Sequence, residues 1–318
     1  MEIVLTHKSA MEYWRIHGKA RVDRDHRQRR RISPAVPPEA SVIRLLHDQG
    51  LSYPINAMVS TPAAKRRTHK LKTHVFTKSL PEGSIIAEGN GLFVSSPELC
   101  FFQMDSELPF AKHLELGLEL CGSYALPVMG VSTAERHLYN RRQLANKERL
   151  IVFLSRMEGV FGQRRLMRVL QYLADNSASP RETTLYLLLT LPYRHGGYGF
   201  PMPVLNAKIR PAKTAKETSS KTFFRCDLYW PDLDVAVEYD SDRIHLTPQQ
   251  IASDAMKRNS LIAMGVTVIT VTNRQITSTM GFERVAKQLA VSMGRRLRSN
   301  ESAGFVKARN ELRALLGL

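Results

Sequence analysis

Acid is what this 318-residue chain is short of: 29 Asp and Glu stand against 46 Lys and Arg, a formal charge of +17. Such an imbalance disfavours cationic partners and draws in polyanions. Cysteine is scarce too. Cys100, Cys121 and Cys226 are far apart and form no CxxC pair, which excludes a disulfide framework and a Cys-based zinc site. No apolar run approaches the roughly 18–20 residues that cross a bilayer, so no membrane partner is expected. The stretch "MEIVLTHKSAMEYWRIHGKA" has an acid at position 2 and no apolar h-region, and the chain reads as cytoplasmic. Walker A and Ser or Cys nucleophile motifs are absent, and "GNG" (89–91) and "HGGYGF" (195–200) lack a phosphate-binding context. No small-molecule cofactor is expected.

What is present is an ordinary globular composition, 43% apolar and 24% charged, in a chain long enough for two domains. The positive charge is uneven. Residues 1–80 hold 16 Lys and Arg against 6 acids, with foci at "RVDRDHRQRRR" (21–31) and "KRRTHKLK" (65–72). Arg29, Arg30, Arg31, Lys65, Arg66 and Arg67 are therefore candidate nucleic-acid contacts. The alternative is a solvated face.

The pattern predicts a basic α+β module over 1–130, a helical connector over 131–175, an α/β domain over 176–295 and a helical tail over 296–318. Ser9 and Glu12 are spaced as a capping box for a first helix. "EASVIRLLHDQG" reads as a second helix, with strands near 53–59, 71–77, 84–88 and 91–95 and a helix begun by Ser96-Pro97. Tyr13 and Trp14 suit either base stacking or a core, and the amphipathic setting favours the core. In the C-terminal half the order is helix (180–191), Gly/Pro-rich loop, hairpin, helix (248–264), strand (266–272) and a last helix near 281. That order implies a mixed sheet flanked by helices.

The hairpin is the anomaly. "RCDLYWPDLDVAVEYDSDRIH" (225–245) packs Asp227, Asp232, Asp234, Glu238, Asp240 and Asp242 into sixteen residues of a basic protein. With the turn at Asp232-Leu233, facing positions sum to 465, so Asp227 lies opposite Glu238, with Asp240 one pleat on. Like charges so placed either take up protons or bind a hard cation such as Mg²⁺ or Mn²⁺. A cation held by acids within a basic protein suits phosphodiester hydrolysis. Solvent-facing acids paired with Arg225 and Arg243 are the alternative.

The residues from Arg225 to Thr272 resemble the PD-(D/E)XK, restriction-endonuclease-like superfamily. They are most similar to its branch of very-short-patch mismatch repair endonucleases and a related domain of unknown function. The resemblance rests on Asp227, "VEYD" (237–240), His245, Asp254, Arg258, Leu261, Gly265 and "VTVITVT". It covers about 50 residues closely, and 175–295 if the preceding helix is included. It implies a metal-dependent DNA endonuclease with Asp227, Glu238 and Asp240 as metal ligands and His245 as base or water-orienting group. Glu182 would be an auxiliary acid, although "SPRE" is also a capping box that ties it to backbone. Asp240 stands where the common motif has Lys, and Lys257 from the next helix is a substitute for it. Otherwise Lys257 is solvated or, with Arg258, a DNA contact. Asp254 and Arg258 also suit a surface ion pair. "VSSPELCFFQM…LELGLELCGSY" is similar to abortive-infection antitoxin or regulator proteins. That implies the alternative of a catalytically inactive DNA-binding regulator with a protein partner in a defence system. RNA in place of DNA is a third reading.

Overall fold

A computed structural model describes residues 2–18, 29–30, 36–128, 139–210, 223–240, 247–297 and 302–318. The chain divides into two compact units, Met1–Asp175 and Asn176–Leu318. Each is mixed α/β, with a mixed sheet flanked by helices. The expected connector thus belongs to the first unit and the expected tail to the second. Among the described residues no helix is long and apolar enough to cross a membrane.

The first unit contains β1 (Ile3–Leu5), α1 (His7–His17), β2 (Arg29–Arg30), α2 (Ala40–Asp48), β3 (Ile55–Val59), β4 (Leu71–Val75), β5 (Ile85–Gly89) and β6 (Leu92–Ser95). Then follow α3 (Pro97–Gln103), α4 (Phe110–Leu120), α5 (Lys147–Ser155) and α6 (Gln163–Val169). The strands lie in the order β2-β5-β6-β1-β3-β4. The strands expected from the sequence correspond to β3 to β6. The additional β1 and β2 are three and two residues long, too short for an alternation to register. β1 is an unbroken, fully buried Ile-Val-Leu run between β6 and β3, which suits a strand covered on both faces.

The capping box at Ser9 is corrected, because α1 begins at His7 and both residues lie inside it. Ser9 Oγ instead accepts the Asn56 N–H at 2.8 Å, and Glu12 accepts from the Ser52 N–H at 3.0 Å and hydroxyl at 2.6 Å. These side chains bind the helix to β3 and the loop before it. Trp14 is a core residue, donating its indole N–H to the Ser95 carbonyl at 2.8 Å. The expected helical connector over 131–175 is also corrected: residues 139–146 are irregular, α5 and α6 are separated by a turn, and 129–138 lie outside the described residues.

The second unit contains α7 (Pro180–Thr190), β7 (Val204–Ile209), β8 (Phe224–Trp230), β9 (Val235–Asp240), α8 (Pro248–Ala263), β10 (Thr267–Thr272), α9 (Asn273–Thr277), α10 (Thr279–Ser292) and α11 (Ala303–Leu315). The strand order is β10-β9-β8-β7, with only β10 and β9 parallel. β7 is additional, drawn from what reads as a loop. The hairpin register is Leu228↔Val237, Tyr229↔Ala236 and Trp230↔Val235, so facing positions do sum to 465. α7 is buried continuously from Glu182 to Thr190, as expected of a helix lacking a polar face. α8 is mostly exposed and docks through Leu261 in a cluster with Ala236, Cys226, Phe224 and Val266.

Candidate active site

Asp227 sits where regular strand pairing is interrupted. β7 pairs with β8 from Val204↔Tyr229 to Ile209↔Phe224, but the position between Leu205 and Ala207 is skipped. That residue is Asn206, in the left-handed region at φ 50°, which Asn tolerates better than most residues. On the other side, the β8–β9 ladder runs no further than Leu228↔Val237. Such irregularities re-aim side chains. Asp227 turns its Oδ2 to the Tyr239 N–H, 2.8 Å away, beside the Glu238–Tyr239 peptide.

Two more carboxylates act on Asp227. Glu182 is buried in the first turn of α7, where Ser179 Oγ caps the helix by accepting the Glu182 N–H at 3.1 Å. Glu182 Oε2 accepts from the Ala178 N–H at 2.9 Å and the Asn206 amide at 2.5 Å, and Asn206 also donates to the Asn176 carbonyl. Glu238 Oε2 accepts from Lys257 Nζ at 2.6 Å. Lys257 lies one turn before Leu261 on α8, so the contact that docks the helix also turns the lysine toward the sheet. Its side chain is only 24% exposed and that of Glu238 16%.

Each carboxylate therefore commits one oxygen to the protein. Glu238 Oε1 is buried and has no hydrogen-bond partner among the described residues. A buried acceptor left without a partner costs about 1–3 kcal/mol. A hard cation uses such oxygens, commonly one or two carboxylates with water completing the shell. The three carboxylates do not all lie within 4.8 Å of one another, so they do not form a compact three-acid ligand set as they stand.

The electrostatics agree with a crowded anionic site. Burial, followed by the charges of Glu238 and Glu182, pushes Asp227 well above the usual carboxylate range against the Tyr239 N–H and Lys257. Burial also raises Glu182, with Glu238 adding to it, against the hydrogen bonds from Ala178, Asn206 and Ser179. For Lys257 burial opposes the charge, but Glu238 and then Asp227 outweigh it and hold the ammonium above the ordinary lysine range.

The structure thus brings Asp227, Glu238, Glu182 and Lys257 together. It does not bring in Asp240, which is exposed at the end of β9 and takes no part in these contacts. Lys257 is not solvated, and its partner is Glu238. Asp254 and Arg258 are both exposed and make no ion pair with each other. His245, Asp242 and Arg243 lie outside the described residues, as does Arg31, and the side chains of Arg29 and Arg30 are not described. Among the described residues no arginine pairs with a site carboxylate, and Asp234 takes the Tyr229 hydroxyl at 2.7 Å. Asn206 is the site residue that sequence reasoning missed. The "VLN" that carries it follows a Gly/Pro-rich loop and shows no alternation.

The first unit holds a groove of about 1950 Å³ lined by seven Lys and Arg against three acids. Lys65, Arg66 and Arg67 form part of one wall and are exposed. His7, His74 and Glu107 line it too, with ligand atoms all within 4.8 Å of one another. The two imidazoles are stacked face to face, 3.6 Å apart, and Glu107 is paired with Lys72 at 2.6 Å. An ion lies in the plane of each imidazole that holds it, so this stack holds none as it stands. Burial lowers His7 to about 2 and His74 to about 4, with further lowering from His74 and Lys72. Both rings are neutral at physiological pH.

Comparison with protein-family models, with curated proteins and with solved structures gives no match to this chain.

Proposed function

We propose that the second unit is a metal-dependent nuclease of the restriction-endonuclease-like kind, acting on DNA that the basic first unit helps to hold. The supporting observation is that Asp227 is buried under the charges of Glu238 and Glu182, with Glu238 Oε1 left without a partner among the described residues, beside the ammonium of Lys257. Asp227 and Glu238 would hold Mg²⁺ or Mn²⁺ directly, and Glu182, anchored by Asn206, would hold a water of its shell. The ion would supply Lewis acidity toward the phosphate and a more acidic bound water. Lys257 takes the place of the lysine missing at position 240. Its ammonium would act by charge and hydrogen bonding on a phosphate oxygen or the attacking water. Arg258, exposed one position further along α8, would meet the flanking backbone.

The test is calorimetric titration with Mn²⁺ followed by incubation of supercoiled plasmid. A saturable metal site and nicked or linear product are expected, both lost in Glu238→Gln. Plasmid binding with no saturable site would instead identify a DNA-binding regulator whose nuclease-like unit has no chemistry. Asp240→Ala is expected to leave Mn²⁺ affinity within about twofold, as for surface positions generally. A tenfold loss in the same titration would return Asp240 to the site.

A further inference from the structure

The turn between α5 and α6 carries Phe161, whose side chain is 96% exposed on the lining of the basic groove. The turn is built rather than slack. Gly159 and Gly162 take left-handed φ of 75° and 93°, and a Cβ on Gly162 would meet Asp105 Oδ2 at 2.9 Å. Backbone bonds from Val160 N–H to Met157 O and from Gln163 N–H to Val160 O close it, and Lys78 Nζ clasps the Gly159 carbonyl at 3.1 Å. Leaving a phenyl ring in water costs about 1.5–3 kcal/mol relative to burial, and here a fixed turn presents it.

Around the ring the groove supplies cations. Arg165 and Lys72 are paired with Asp105 and Glu107. Lys65, Arg67 and Arg164 line the groove, are exposed, and have no acidic partner among the described residues. A cationic track beside an unoccupied aromatic face is the combination that binds unpaired nucleotides, with phosphates on the track and a base on the ring. A duplex keeps its bases stacked and offers that ring nothing.

We infer that this groove binds a single-stranded stretch of polynucleotide, with Phe161 stacking on an unpaired base and Lys65, Arg67 and Arg164 on the phosphates. The inference deepens the nucleic-acid-binding part of the nuclease reading, and it assigns the first unit to unpaired strand. The test uses the full chain in EDTA, so that failure of cleavage does not enter it. Fluorescence anisotropy would compare a labelled single-stranded DNA, the same sequence as RNA, its blunt duplex, and phosphatidylserine vesicles. Single strands should bind more tightly than duplex. Phe161→Ala should weaken single-strand binding about tenfold and leave duplex binding unchanged, with Phe161→Trp restoring it. Arg164→Glu should weaken both and flatten the salt dependence. Binding of either single strand upholds the assignment, and the tighter one identifies the sugar. Equal affinity of wild type and Phe161→Ala for single strands would overturn it, as would preference for duplex, or vesicle binding that alone depends on Phe161.

Discussion

Replacing Asp227 with Asn is expected to abolish Mn²⁺-dependent cleavage while making the metal-free protein more stable at neutral pH. Cleavage should fall by at least about 10³-fold, the scale on which loss of a single electrostatic contact to a transition state acts. Nucleic-acid affinity should stay nearly unchanged, because the basic groove belongs to the other unit. The stability gain follows from the sign of the shift. Asp227 binds its proton more tightly folded than unfolded, because of burial and the neighbouring Glu238 and Glu182. Its contribution is fully present below the ordinary carboxylate range and is lost as pH rises through the raised folded value. Melting in EDTA should therefore fall with pH for the wild type and stay flatter for the Asn variant. Each kcal/mol is worth about 2–4 °C in a protein of this class. Mn²⁺ should raise the wild-type midpoint and leave the variant unmoved. Full cleavage by the variant, or a midpoint below wild type at every pH, would remove Asp227 from the site.

Lys257→Met is expected to produce the second largest effect, a loss of about 10²–10³ in single-turnover cleavage, the scale on which loss of one electrostatic donor to a transition state acts. A lysine that merely neutralised Glu238 would behave differently. Removing it leaves a largely buried carboxylate without its counter-charge, which lowers the metal-free melting midpoint. Mn²⁺ should then restore folding stability by supplying the missing positive charge without restoring cleavage. Recovery of both with metal would make Lys257 a structural partner only. Lys257→Arg separates charge from geometry, since the guanidinium keeps the charge but not the compact shape of the ammonium.

Much of the second unit is legible in its residues because the information is local. The alternation of "VAVEYD" and the compact "PDLD" turn are enough to place the hairpin register, and α7 and α8 announce themselves by length and by their prolines at the first position. The assembled site is harder to read because its members meet through long-range packing. Lys257 reaches Glu238 only once Leu261 has settled among Ala236 and Cys226. Asn206 matters only because β7 pairs with β8 and skips one position, something no periodicity in "PVLNAKI" signals. The same holds at the other end of the chain. Ser9 and Glu12 have capping-box spacing, yet their partners are Asn56 and Ser52, more than thirty-five residues away in sequence. In each case a local pattern gave way to a tertiary bond.

The charged groups of the site come from elements that are seated differently. Acid comes from the sheet and from α7, whereas the positive group comes from a crossover helix whose described side chains are mostly exposed and which packs on the sheet through Leu261. A substitution at Leu261 that unseats α8 is therefore expected to withdraw the ammonium from Glu238 while leaving the strand register intact.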